Sequence, residues 1–69
     1  MQFLDERMER KLKSLIVNSG KTMEQVAKEM HMSRPTLSKK INGKQDFSFS
    51  EMKAFAKSVE ENPVKIFFE

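Results

Sequence analysis

With 69 residues and no cysteine, the chain is long enough for one domain with a single small core, residues 1 to 69, and has no disulfide framework. Its formal net charge is +3, no run approaches the roughly 18 apolar residues of a membrane span, and the amino terminus is too charged for a signal peptide. These features predict a cytoplasmic protein with no membrane partner.

Helix 1 is predicted over residues 4 to 18. Apolar side chains recur there at three- and four-residue steps along an otherwise charged segment, at Leu4, Met8, Leu12, Leu15 and Ile16. This spacing places them on one helical face, and Asn18-Ser19-Gly20 supplies the stop. We expect this helix to cover the back of the elements that follow.

Helix 2 is predicted to begin at Thr22. Thr22 and Gln25 have the spacing of a capping box, in which each side chain accepts a hydrogen bond from the other residue's backbone amide. A helix of about two turns follows, and its apolar face consists of Val26, Ala27 and Met30. After it, we expect His31 to be an exposed turn residue with positive φ.

Helix 3 is predicted to begin at Ser33 or Arg34 and to end at Asn42-Gly43. Ser33 is a suitable N-cap, and Pro35 is tolerated because it falls in the first turn. Leu37 and Ile41 are four residues apart and face inward, and Gly43 can take the left-handed conformation that ends the helix.

A loop over residues 43 to 48 precedes helix 4. Ser48 and Glu51 have the spacing of a second capping box. The inner face of helix 4 then consists of Met52, Phe55, Ala56 and Val59.

Asn62-Pro63 is predicted to open a short last helix. The segment that follows is strongly apolar: Ile66 and Phe67 can reach the core, which leaves Val64 and Phe68 outside. An exposed apolar carboxyl terminus indicates a protein partner, and the candidate interface residues are Val64, Phe67 and Phe68.

The outward face of helix 3 is polar and cationic. With Leu37 and Ile41 turned inward, a 100° step per residue puts Arg34 at the leading end of this face, followed by Pro35, Thr36, Ser38, Lys39 and Asn42. Residues 33 to 45 contain several basic side chains and no acidic one. Taken alone, such a charge run could be an ordinary solvated helix face; joined to the two caps and the turn, it favours DNA as the partner.

Arg34 is the side chain best suited to reading bases, since its guanidinium matches the O6 and N7 acceptors of guanine. Lys39 can contact bases or phosphates, and Thr36 and Ser38 can make weaker contacts. Just past the helix, the geometry runs closest to the phosphate backbone, and the candidate phosphate contacts there are Asn42, the Gly43 amide and Lys44. Lys40, within the helix, is a further candidate phosphate contact.

Residues 11 to 67 resemble the lambda-repressor-like family of phage Cro and repressor DNA-binding domains. The positions that fit the family pattern are Ala27, Ser33, Leu37, Asn42 and Gly43. The resemblance implies a compact all-α domain of five helices with a helix-turn-helix unit at helices 2 and 3, residues 22 to 43. It also implies that Arg34, Pro35, Ser38 and Lys39 face the bases and that Thr22, Met23, Asn42 and Lys44 face phosphates.

Three positions depart from the family pattern. Met23 stands where the family often has a phosphate-binding glutamine, His31 stands at the usual turn glycine, and Pro35 replaces a hydrogen-bonding residue of the reading face. Direct readout of bases is therefore expected to rest on Arg34 and Lys39.

An enzyme is not expected, since no nucleophile lies near a base and no glycine-rich phosphate loop is present. No cofactor or metal site is predicted, because His31 has no further ligands nearby. The leading hypothesis is a small Cro-like transcriptional regulator of phage or prophage origin. It would be associated with the nucleoid and would place helix 3 of each copy of a homodimer in the major groove of double-stranded operator DNA.

The alternative is an antirepressor of the same fold. Such a protein binds the DNA-binding domain of a companion phage repressor and blocks its access to the operator. The sequence motivates this alternative by Pro35 in the reading face, by acids at Glu60, Glu61 and Glu69, and by the apolar carboxyl terminus.

Overall fold

The computed structural model describes residues 6–68, which form five α-helices and no strand. These are α1 (Glu6–Asn18), α2 (Met23–Glu29), α3 (Arg34–Ile41), α4 (Phe49–Ser58) and α5 (Pro63–Phe67). The predicted all-α, five-helix fold is therefore confirmed. The predicted start of helix 1 at Leu4, and the acidic Glu69, lie outside the described residues.

The helix starts follow the capping chemistry that the sequence predicts. Gln25 N donates to Thr22 Oγ1 at 3.1 Å, and Thr22 N donates to Gln25 Oε1 at 2.8 Å. The same reciprocal pair joins Ser48 and Glu51 at the start of α4. Ser33 accepts from the Thr36 amide at 3.3 Å, and Asn62 Oδ1 accepts from the Val64 amide at 2.8 Å. Local side-chain chemistry thus sets where these four helices begin.

Three helices end in the same hydrogen-bonded arrangement, in which the residue after the C-cap has positive φ. These residues are His31 after α2, with φ 60°, Gly43 after α3, with φ 80°, and Glu60 after α4, with φ 58°. In each case the next amide donates back to a carbonyl of the last turn, as Glu61 N does to Ala56 O at 2.9 Å. This is the Schellman motif. The predicted conformations of His31 and Gly43 are confirmed, whereas Glu60 was not identified from the sequence.

The core lies where all five helices meet. α2 packs against α3 and α4, α1 packs against α3 and α5, and α4 packs against α5. The largest side chains that are fully buried come from every helix and are Leu12, Val26, Leu37, Ile41, Phe55 and Ile66. No helix within residues 6–68 is long and apolar enough to cross a membrane.

An aromatic cluster closes the core beneath the loop between α3 and α4. Phe47, in that loop, is 6% exposed. Its ring centroid lies 6.0 Å from that of Phe55 and 5.7 Å from that of Phe67. The sequence did not single out Phe47, because it stands in a loop and has no helical spacing to mark it.

Candidate nucleic-acid interface

The orientation of α3 is set by two side chains on its inner face. Leu37 and Ile41 are both 0% exposed, and α3 packs against α1 and α2. Because these contacts fix the rotation of the helix about its axis, the residues on the opposite side must face solvent. Ser33 at the N-cap and Gly43 beyond the C-cap fix the length of the helix. The structure therefore presents one defined polar face.

The predicted base-reading residues all lie on that face, but they differ in solvent exposure and in hydrogen bonding. Arg34, Pro35 and Lys39 are exposed, and Thr36 and Ser38 are half-buried. Among residues 6–68, neither the Arg34 nor the Lys39 side chain has a hydrogen-bonding or ion-pair partner. The Thr36 hydroxyl accepts from Ser33 Oγ at 2.8 Å and so belongs to the helix cap. Two unpaired cations therefore dominate the face.

Asn42 and Lys44 are exposed just past the carboxyl end of α3, where a phosphate backbone would pass if α3 lay in the groove. The Gly43 amide is different, because it donates to Lys40 O at 3.2 Å. This bond is part of the helix terminus. The Gly43 amide is therefore already paired within the domain, and its contact with phosphate stays a prediction.

Lys40 also departs from its predicted role as a phosphate contact. Its side chain is 13% exposed, and its Nζ lies 3.1 Å from Glu51 Oε1. The same ammonium donates to the Asp46 carbonyl oxygen at 2.9 Å. The structure thus places the charge of Lys40 between α3, the following loop and α4, and pairs it with a carboxylate inside the domain.

The carboxylate of Glu51 responds to this environment. Burial raises the pKa of Glu51, but hydrogen bonds from the Ser48 backbone amide and the Lys40 ammonium outweigh burial and hold that pKa below its usual range. Glu51 is therefore ionised at neutral pH, and its charge offsets that of Lys40.

Thr22 and Met23 were expected to face phosphates at the start of α2. Thr22 is exposed, and its hydroxyl accepts from the Gln25 amide. The Met23 side chain is half-buried and packs against the hydrophobic core. Part of the Met23 side chain is therefore used in core packing, and the orientation of Met23 toward phosphates stays a prediction.

The carboxyl-terminal helix divides its apolar residues between the core and the surface. Val64 and Phe68 are 53% and 58% exposed, whereas Phe67 is 5% exposed. Val64 and Phe68 are four residues apart, so they share one outward face. The prediction of Phe67 as an interface residue is therefore wrong, because its ring lies in the aromatic cluster.

Two further exposed apolar residues were not identified from the sequence. Val17, on α1, is 73% exposed and Phe49, at the start of α4, is 63% exposed. Lys53 Nζ lies 5.4 Å from the centroid of the Phe49 ring. No group of His, Asp and Glu side chains within residues 6–68 could hold a metal ion.

The arrangement of α2 and α3 as two helices joined by a tight turn agrees with the comparison of the chain with protein families. A family described as helix-turn-helix matches residues 12–63, which is well over half of the chain and includes all of α2, α3 and α4. No match was found among curated proteins or solved structures. The chain therefore belongs to the lambda-repressor-like helix-turn-helix family, whose members are DNA-binding transcription regulators.

Proposed function

We propose that this protein is a Cro-like, sequence-specific transcription regulator that binds operator DNA with α3 in the major groove. The observation that supports this function best is the outward face of α3. It carries exposed, unpaired Arg34 and Lys39, and no acidic residue occurs between positions 33 and 45. A rigid cationic helix face of this kind fits the width and the negative potential of the groove.

We assign different roles to the residues of this face. Arg34 reads a guanine through its two-pronged guanidinium, and Lys39 supplies a second base or phosphate contact. Pro35 has no amide proton to donate, and the Thr36 hydroxyl already accepts from Ser33. Asn42 and Lys44 contact phosphates and fix the register of the helix on the duplex. Direct readout is therefore narrow, and phosphate contacts carry much of the affinity.

A homodimer would supply the specificity that one narrow reading face lacks. Two copies of α3 in successive major-groove half-sites lie about 34 Å apart along the duplex. A two-fold symmetric operator doubles the number of bases read. The resemblance to phage Cro and repressor domains supports a phage or prophage setting for such a switch.

The test is to measure the affinity of the protein for the DNA upstream of its own gene and for an unrelated duplex of equal length. Fluorescence anisotropy at two salt concentrations separates the phosphate contribution from base reading. A preference of about a thousandfold or more for the upstream DNA is the expected result. Equal affinity for both duplexes would contradict a sequence-specific regulator.

The exposed residues of α5 favour a second candidate function, that of an antirepressor. Val64 and Phe68 form an apolar outward face, and the exposed carboxylates of Glu60 and Glu61 precede the helix. A companion repressor has a basic DNA-binding face, which is complementary in charge to these acids. Binding there would block the repressor's access to its operator.

This second function predicts that Phe68→Asp disrupts a complex with the companion repressor, because the new carboxylate would be desolvated at the interface. The matched control is Val17→Asp, which places the same charge at an exposed apolar site on α1. Circular dichroism should show unchanged helix content in both variants. A complex that survives Phe68→Asp would exclude this face as the binding surface.

A further inference from the structure

The loop that carries Lys44 is anchored at both ends. At its start, the Lys44 and Gln45 amides donate to Lys39 O at 2.8 and 3.3 Å. At its end, Phe47 is 6% exposed and inserts into the aromatic cluster with Phe55. Only the middle of the loop lacks a backbone or core anchor of this kind, and that is where Asp46 stands.

Lys40 supplies the missing anchor. Its Nζ donates to the Asp46 carbonyl oxygen at 2.9 Å and lies 3.1 Å from Glu51 Oε1. Glu51 is itself held in place, because its carboxylate accepts from the Ser48 amide at 2.9 Å. One ammonium therefore links α3, the loop and the first turn of α4. We call this group of contacts the Lys40 bridge.

The low exposure of the Lys40 side chain is informative because a lysine side chain seldom withdraws from solvent unless it is paired. Its side chain is 13% exposed, so the amine is not placed to reach outward as the exposed Lys39 and Lys44 are. The bridge leaves the backbone around Lys44 with little freedom. A preorganised contact loses less conformational entropy on binding.

We propose that Lys40 is a positioning residue for DNA binding, which acts through Lys44 and does not itself contact the DNA. The inference rests on the proposed function, since it concerns the same interface. The bridge holds the loop so that the Lys44 ammonium meets the phosphate backbone when α3 occupies the groove. Loss of the bridge leaves Lys44 on a looser segment and weakens its phosphate contact.

A double-variant comparison tests whether Lys40 acts through Lys44. The affinity of the wild type, Lys40→Met, Lys44→Met and the double variant is measured on the same preferred duplex over a range of salt concentrations. Lys44→Met should lower the salt slope by about one unit. Lys40→Met should weaken binding in the same direction, and the double variant should match Lys44→Met within about twofold.

Three results of this comparison overturn the inference, and they differ from one another. If the two losses multiply and the salt slope falls by about two units, Lys40 contacts a phosphate directly and only the positioning role is lost. If the wild type binds no DNA, the proposed function fails and the positioning role fails with it. Unchanged affinity of Lys40→Met also contradicts the inference.

Glu51→Gln gives a second test, in which the charge effect and the positioning effect predict opposite changes in DNA affinity. Glutamine keeps the oxygen that accepts from the Ser48 amide, so the capping box survives, but it removes the negative charge that pairs with Lys40 at that same oxygen. Charge alone predicts tighter DNA binding when a nearby acid is neutralised, whereas a weakened bridge predicts weaker binding. Glu60→Gln, beyond the other end of α4, makes the same charge change without touching the bridge. Tighter binding by Glu51→Gln than by Glu60→Gln would overturn the positioning role.

Hydrogen exchange in the DNA-free protein tests the bridge itself. In Lys40→Met, the Lys44 and Gln45 amides should exchange faster while the amide of Ile16 in α1 keeps its wild-type rate, and Lys40→Arg should restore slow exchange. Unchanged rates at Lys44 and Gln45 would show that the bridge does not hold the loop. If Ile16 also exchanges faster, the variant is globally destabilised. The DNA affinity of Glu51→Gln then decides whether the bridge positions Lys44.

Discussion

The Ser58 hydroxyl donates to Glu29 Oε1 at 2.8 Å and thereby joins the end of α4 to the end of α2. Lys21 completes the contact, since its Nζ lies 2.8 Å from the same Glu29 oxygen and 2.7 Å from the Ser58 carbonyl. Ser58 is 4% exposed. None of these residues is a predicted DNA contact. Their hydrogen bonds hold α2, the first helix of the helix-turn-helix unit, against α4.

Ser58→Ala should therefore destabilise the protein by about 1 kcal/mol, because it removes a buried hydroxyl that donates to a carboxylate. Urea unfolding followed by circular dichroism measures the change. Ser50→Ala, in the exposed first turn of the same helix, is the control and should cost less. Equal stability of the two variants would contradict a role for the Ser58 hydroxyl.

The stability of the protein should fall in acid partly through Glu29. Hydrogen bonds from the Lys21 ammonium and then the Ser58 hydroxyl hold the pKa of Glu29 below its ordinary value of 4.5. A carboxyl group whose pKa is lower in the folded state stabilises the fold at pH values above the unfolded pKa. That contribution is lost as pH falls through the folded-state pKa.

Glu29→Gln is the variant that isolates this contribution. Its melting temperature should lie below that of the wild type at neutral pH, and the two should converge as the pH falls below the folded-state pKa of Glu29. Thermal unfolding followed by circular dichroism across this range gives both curves. A constant difference at every pH would show that the charge of Glu29 is not the cause.

Arg34→Ala should weaken binding to the preferred duplex by about 1–3 kcal/mol and relax the preference at one base pair. The reason is that the guanidinium is exposed at the amino end of α3 and can bond two acceptors of one guanine. Anisotropy on a set of duplexes with single base-pair changes measures this effect. Equal losses on every duplex would contradict base reading.

Lys44→Ala is the matched comparison for Arg34, because it removes a cation at the other end of the reading face. It should weaken binding to all duplexes alike and lower the salt slope by about one unit. An unchanged slope would remove Lys44 from the phosphate contacts.

Glu60→Gly should stabilise the protein by about 0.5–1 kcal/mol. Glu60 has φ 58°, a left-handed conformation that costs about 1–2 kcal/mol for a residue with a β-carbon. Glycine avoids that cost, although the more flexible unfolded chain offsets part of the gain. Glu61→Gly, next to it and without positive φ, should instead destabilise. Chemical denaturation of the two variants measures whether each change raises or lowers the free energy of unfolding.

Much of the helical architecture could be predicted because its signals are local. Thr22 and Gln25, Ser48 and Glu51, and Asn62 before Pro63 are each close in sequence, and each forms the predicted cap. Their spacing predicted that Leu37 and Ile41 lie on the inner face of α3, and both are 0% exposed. Helix periodicity also separated the outward face of α3 from its inner face.

The sequence by itself therefore determined where most helices begin and end and which face of α3 is polar, since these depend on hydrogen bonds and spacings within a few residues. Only the tertiary structure decided that Lys40 pairs with Glu51, that Phe47 and Phe67 share one aromatic cluster, and that Ser58 meets Glu29. The partners in these contacts come from different elements of the chain. Because each contact forms only when those elements pack together, no local sequence pattern predicts it.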